Sequence, residues 1–322
     1  MRAKFLDLLR DPYTNEKFNI RVFEKKKTRI IEGELYNSTS KYPIRGGIPR
    51  FTQKTNNYTD SFGFQWKKWS KIQFDSENIG KPMEFHTSGM WGRIVGDKRI
   101  KNKIIGDFGC GSGRFIEVCR NKGAIVVGVD MSDAVDAAYS IFQKDDNVFI
   151  VQADILNLPF KRGIFDGGYS IGVLQHTKNY KKAFSSISGT INKGGWFAVS
   201  SYGEEGYYTA PLVEFYRSLF KKLWSIFGPY PALFYTYVIV SFRFILKSIP
   251  LISKIRYLMD GFFPSVELPS YNWSILDTFD SVTPSYQKGI SYHQMYKLFE
   301  KNGFTSIFPS SWYGTSINAY KK

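Results

Sequence analysis

Asp107 to Gly113 reads DFGCGSG, directly after the apolar pair Ile104–Ile105 and just before Arg114. Glycines at 109, 111 and 113 remove Cβ atoms from a turn that must close on a ligand. A helix starting near Gly113 aims its free N–H groups at that ligand and favours negative charge there, such as a carboxylate. Asp107, at the end of the preceding strand, is placed to receive an ammonium. Asp130 ends the run VVGVD, where a carboxylate can accept both hydroxyls of a ribose. Dinucleotide sites also carry such an acid, about 20 residues past their glycines. The glycine spacing separates the two cases, because those sites prefer G-x-G-x-x-G and this turn reads G-x-G-x-G. In QADILNLPF, Asp154 is placed to accept from an exocyclic amine, with Ala153 N–H donating to the ring and Ile155 packing on its face.

These residues need a scaffold of alternating strands and helices, and the chain supplies that pattern from Lys103 onward. Strands are expected at Ile104–Phe108, Ile125–Val129, Val148–Gln152, Phe165–Ile171 and Trp196–Ser201. Helices are expected at Arg114–Asn121, from an N-cap at Ser132 through Phe142, and at Lys178–Ile191. Near the C-terminus, Ser291 can cap a helix through Asn302, which Gly303 stops. Thr305–Phe308 and Ser316–Tyr320 then fit a hairpin, which makes the last strand antiparallel to its neighbour.

With these motifs in this order, Lys103–Tyr202 resembles the class I S-adenosylmethionine (SAM)-dependent methyltransferases. DFGCGSG matches the family's glycine motif, GVDMS its ribose motif and QADILNLPF its adenine motif. FDGGYSIGVLQHTKN matches the fourth-strand motif, and NKGGWFAVSSY the entry to the fifth strand. The resemblance implies an α/β fold: a Rossmann-like seven-stranded sheet with an antiparallel last strand, a small N-terminal β module and a helical insertion. SAM is the implied cofactor. Its implied site is Trp66, Asp107, Gly109, Gly111, Gly113, Asp130, Met131, Ala153, Asp154, Ile155 and Ser170. Aromatic faces such as Trp66 or Tyr202 can favour a sulfonium.

Three segments are expected: 1–56, 57–102 as a helical lead-in covering the cofactor, and 103–322 as the methyltransferase domain, with an insertion over about 205–285. The first contains DPYTNEKF and GELYNSTSKYPIRGGIPRF and predicts two or three short strands. It resembles the zinc-ribbon-like module of tRNA-methyltransferase activator proteins. Asp11, Thr14 and the stretch Asn37–Ser40 stand where that module has cysteines, so no metal site is expected. In the lead-in, SFGFQWKKW sets Phe62, Trp66 and Trp69 at helical spacing. Residues 211–262 are apolar, aromatic and basic. PALFYTYVIVSF falls well short of the ~20 apolar residues that span a bilayer. Helices that cover the substrate site are favoured there over helices on a membrane surface.

His176 is the first candidate for a base or orienting group, against a purely structural hydrogen bond to a neighbouring loop; Tyr202 stands with it as a catalytic candidate. Capping is favoured for His293, and for His86 a plain structural place is favoured over one at the site's mouth. Two cysteines and the absence of a long N-terminal apolar run fit a cytoplasmic protein. The aromatic content of 17% suggests a thick core. The formal charge of +16 favours anionic partners, but the basic residues are dispersed. With no recognisable RNA-binding domain, and with flanks like those of polysaccharide and lipid methyltransferases, the expected acceptor is a small molecule, glycan or glycolipid, methylated at oxygen. A nucleic-acid acceptor is the alternative within enzymes, and a non-catalytic SAM-binding scaffold the alternative outside them.

Overall fold

In the computed structural model, residues 1–52, 59–247 and 261–322 are described. The expected boundary at 56/57 and part of the 211–262 segment lie outside them. Four strands build the N-terminal sheet: β1 (Asn19–Lys26), β2 (Arg29–Tyr36), β3 (Lys41–Arg45) and β4 (Ile48–Pro49), in that order and all antiparallel. That exceeds the expected two or three, because β2 is longer than its alternating core and β4 is only a two-residue return.

The main sheet has β5 (Ile104–Phe108), β6 (Ile125–Asp130), β7 (Val148–Gln152), β8 (Phe165–Ile171), β9 (Ile191–Ser201), β10 (Phe304–Pro309) and β11 (Thr315–Lys321). Its spatial order is β10-β11-β9-β8-β5-β6-β7. The pairs among β5 to β9 are parallel, and β11 runs antiparallel to both β9 and β10. After β5 the chain steps to β6 and β7 on one side, then crosses to β8 on the other. Ligands in open α/β sheets bind at such a switch point, beyond the carboxyl ends of the strands.

Nine α-helices are described: α1 (Asp60–Lys68), α2 (His86–Val95), α3 (Arg114–Asn121), α4 (Ala134–Phe142), α5 (Tyr180–Thr190), α6 (Pro211–Phe227), α7 (Tyr230–Lys247), α8 (Tyr271–Val282) and α9 (Tyr292–Lys301). The Ser291 cap is present, its side chain accepting from Gln294 N–H. The cap position of α4 falls on Asp133, one residue past Ser132, but Ser132 Oγ still accepts from Ala134 N–H at 3.2 Å while donating to Asp130 at 2.7 Å.

The aromatic content is spent on packing. Phe184 meets Phe197 and Phe299 at 5.3 and 4.8 Å between ring centres, and Phe299 meets Phe304 at 5.2 Å. These rings lock α5 and α9 onto one face of the sheet; such pairs contribute about 0.5–1.5 kcal/mol each beyond their burial. The N-terminal sheet shares this core: Phe5 stacks on Phe149 of β7 at 4.7 Å, and Arg50 binds Gln152 and Asp136.

The loops around Asp11 and Asn37 are tied by side chains. Asp11 accepts from Tyr13 and Thr14 N–H at 2.8 and 2.9 Å, from Asn37 Nδ2 at 3.3 Å and from Ser40 Oγ. Burial alone would raise its carboxyl, and the hydrogen bonds from Ser40, Thr14, Tyr13 and Asn37 outweigh that and hold it low.

Helices α6 and α7 back α8 through an apolar cluster that includes Phe220, Ile239, Val240 and Phe279. On its other side α7 leaves Tyr230, Phe234, Tyr237, Val238, Phe242 and Ile245 exposed, a stripe at helical spacing. No helix among the described residues is long and apolar enough to cross a membrane.

Candidate active site

A cavity of about 540 Å³ opens at the switch point. The turns after β5, β6, β7, β8 and β9 form one wall, and α1 and α8 contribute the other. Of the residues expected for the cofactor, Trp66, Gly109, Gly111, Asp130, Met131, Asp154 and Ile155 line it, as do both catalytic candidates, His176 and Tyr202.

Two of the three glycines of the turn carry out what the sequence suggests. Gly111 has φ +53°, and a Cβ there would meet Trp66 Nε1 at 3.0 Å, so the indole of α1 lies against the bare backbone. Gly109 has φ +94°, and its Cβ would meet Val173 at 2.3 Å. Gly113 is different: it does not line the cavity, and its Cβ would strike Phe142 at 2.6 Å. Its role is helix packing, contrary to expectation.

Three further expected residues also sit behind the lining. Ser170 Oγ donates to Phe108 O at 2.9 Å. Ala153 N–H donates to Asp130 O at 3.0 Å, so it is already engaged and the expected donation to a ligand ring is corrected. Asp107 is buried beneath the turn with its Oδ2 unpartnered. Burial pushes its carboxyl up to about 8, with Tyr169 and Arg114 opposing and the neighbouring Asp130 adding to the rise. A buried orphan acceptor of this kind calls for a donor or a cation.

Asp130 Oδ2 accepts from Gly111 N–H at 2.9 Å, and Oδ1 from Ser132 N–H and Oγ at 2.8 and 2.7 Å. It therefore splints the glycine turn as well as facing the cavity. Asp154 lines the cavity and also caps the turn after β7, accepting from Leu156 N–H at 2.8 Å.

His176 is 6% exposed, and its Nδ1 lies 2.9 Å from Tyr286 O. A carbonyl only accepts, so Nδ1 carries the proton and Nε2 is the basic nitrogen. Burial lowers its pKa, against Asp280 and the Tyr286 bond, so the ring is neutral at pH 7. The structural hydrogen bond is thus present, and the ring also lines the cavity. His86 lies at the cavity wall, edge-on to Trp273.

Sequence reasoning missed the far wall. Asp277 and Asp280 project from α8 into the cavity. Gln73 Nε2 donates to Asp277 at 3.1 Å and its Oε1 accepts from Arg114 at 2.5 Å, while Gln65 Nε2 donates to Asp280 at 2.8 Å. Burial and then Asp280 push the Asp277 carboxyl up to about 7, with Arg114 and Gln73 opposing. The residues lining the cavity include five acids, and Arg114 is the only Lys or Arg among those described. Such a wall suits a cationic ligand.

The cavity fits SAM on three counts: the cradle that a Cβ would fill, the orphaned Asp107 and the strand-end acids Asp130 and Asp154 in its lining. Residues 106–199 match the methyltransferase domain family. The chain carries a SAM-dependent methyltransferase domain. Among curated proteins, it is 30% identical to the tRNA U34 carboxymethyltransferase of Psychromonas ingrahamii over 153 residues, 46% of this chain and 45% of that protein. It is 27% identical to the tRNA U34 carboxymethyltransferase of Pseudoalteromonas translucida over 164 residues, 49% and 51% of the two chains. The chain thus spans about half the length of the curated relatives it matches. Among solved structures, a SAM-dependent methyltransferase from Mesorhizobium loti aligns at 24% identity over 42% of this chain and 58% of that one, with a TM-score of 0.34.

These relatives correct two expectations. The acceptor expected from the flanks was a small molecule, glycan or glycolipid, and nucleic acid was set aside; the relatives' names instead specify tRNA. The flanks misled because they lie outside the cofactor domain, and dispersed basic residues carry no local motif.

Proposed function

We propose that this protein is an RNA methyltransferase that moves a methyl group from SAM to an RNA acceptor. The likeness to tRNA-modifying enzymes across the cofactor half carries this reading. The net charge of +16 supports it, because phosphate contacts dominate RNA affinity.

The transferred group is methyl and not carboxymethyl, the group in those relatives' names. A carboxylate on the transferred carbon would meet Asp277 and Asp280, and Arg114, the only Lys or Arg among the described lining residues, is already bonded to Gln73. Asp107 and Asp130 hold the ammonium and ribose of SAM, Asp154 and Ile155 its adenine. Gly109, Gly111 and Met131 let it approach, and Trp66 faces the sulfonium. When bound, SAM supplies an electrophilic methyl. His176 Nε2 is the base that takes the acceptor's proton, with Tyr202 orienting the ring at 5.7 Å between centres. The N-terminal sheet is a zinc-ribbon-like module in which the Asp11 hydrogen bonds do the cross-linking.

The test supplies SAM labelled at the methyl group to the protein with host RNA. Label that enters the small-RNA fraction and is released by ribonuclease supports the reading. Label absent from RNA, or resistant to ribonuclease, overturns it. A carboxymethyl-bearing donor is expected to transfer nothing.

The exposed stripe on α7 supports a second, independent contact, with an anionic membrane surface. Lys247 ends the same helix and is exposed, with its Nζ 3.2 Å from Glu267. Amphipathic faces of this composition bind lipid through apolar burial and charge. Co-sedimentation with phosphatidylserine vesicles that disappears in Phe234→Glu/Phe242→Glu supports it; no co-sedimentation at low salt removes it.

A further inference from the structure

Two sides of this molecule carry opposite charge. The whole chain is at +16, yet the cavity is walled by acids. Asp107, Asp130 and Asp154, at the strand ends, answer the cofactor. Asp277 and Asp280 sit across from them on α8, on a different element and three residues apart on one face. A phosphate cannot enter such a wall without facing unpaired like charge. An RNA strand must therefore leave its backbone on the basic exterior and insert a group without phosphate.

A second observation shows that the α8 wall is incomplete. Gln65 is 1% exposed and lines the same cavity. Its Nε2 is committed to Asp280, while its Oε1 has no partner. An amide oxygen buried this way is costly unless a donor arrives. With the remaining lone pairs of the two carboxylates, it makes a row of acceptors. Beside the row, Tyr202 and Tyr208 stack in parallel at 4.1 Å, and Phe62 adds a further ring face. Flipped bases are gripped in this way, by hydrogen bonds to an edge and by stacking on aromatic faces.

We propose that Gln65, Asp277 and Asp280 form an acceptor subsite that receives a nucleobase extruded from RNA and reads the N–H groups on its edge. The inference rests on the RNA reading above. Carboxylates and amide oxygens accept only from donors, so the subsite selects bases by their amino and imino groups. Arg114 reaches Asp277 through Gln73, which accepts from the guanidinium and donates to the carboxylate, so the arginine positions the row without closing it.

The test is equilibrium binding of free cytidine and uridine to the full chain saturated with S-adenosylhomocysteine, read by saturation-transfer NMR and calorimetry. The wild type is expected to bind at least one of them. Asp280→Asn and Asp277→Asn are each expected to weaken that binding about tenfold or more. The affinity for S-adenosylhomocysteine and the thermal midpoint should stay within about twofold and 2 °C, since neither acid is assigned to the cofactor. Three outcomes overturn the proposal: no nucleoside binding by the wild type, equal binding by the variants, or loss of S-adenosylhomocysteine affinity in the variants with nucleoside binding intact. If nucleosides bind and the variants lose them while no RNA is methylated, the subsite stands and the RNA reading alone fails.

Discussion

Asp107 is the residue whose chemistry is most exposed to test. Its carboxyl is pushed up to about 8 by burial, and Asp130 adds to that while Tyr169 and Arg114 oppose it. Holding an ammonium requires the ionised form, so cofactor binding at pH 7 must expel a proton. Affinity for S-adenosylhomocysteine should then rise about tenfold per pH unit between pH 6 and 7 and flatten near 8. Calorimetry in buffers of different ionisation enthalpy will show the proton release; a flat profile overturns the assignment, and Asp107→Asn should give both a flat profile and weak binding. The sign for stability is opposite. A carboxyl raised in the folded state stabilises most below its ordinary value near 4, and that contribution is lost as pH rises towards about 8. Without cofactor, Asp107→Asn should therefore melt higher than the wild type at pH 8 and closer to it at pH 4.

At the scale of elements, the glycine turn and α1 act as one unit. Gly111→Val would force a branched side chain into positive φ and against Trp66. Cofactor affinity should fall by more than about tenfold, at a cost of ~1–2 kcal/mol for the strained backbone; fluorescence titration that finds unchanged binding would separate α1 from the site. The Asp11 cross-link makes a similar prediction in the N-terminal sheet. Asp11→Ala leaves four donors without their acceptor, and the chemical-denaturation midpoint should drop by the equivalent of about 2–3 kcal/mol. These elements also show what a sequence discloses. Strands β5 and β7 and helix α3 coincide with their expected bounds, because both strands open on apolar pairs or runs and the turn from β5 to α3 carries glycine. Ala153 N–H was misread because a main-chain donor has no side chain to betray its partner. Asp277 and Asp280 were invisible for another reason. Two acids three apart on a helix usually mark a solvated face, and only the packing of α8 against α1 and α7 turns them inward.

At the scale of the whole molecule, the opposition between a basic exterior and an acidic cavity divides binding into two parts with different salt dependence. Contacts between Lys or Arg and phosphate release condensed ions, so RNA affinity should fall at least about tenfold between about 50 and 200 mM salt. The cavity works by close, buried contacts that salt screens poorly, so affinity for S-adenosylhomocysteine should change less than about twofold over that range. Measured together by anisotropy of labelled host tRNA and by calorimetry, the two slopes test the division directly. If Asp280→Asn lowers RNA affinity by the same factor at both salt concentrations, its contribution is a base contact inside the cavity. If the variant instead binds RNA more tightly at low salt and equally at high salt, Asp280 acts only through long-range charge, and the acceptor subsite on α8 falls.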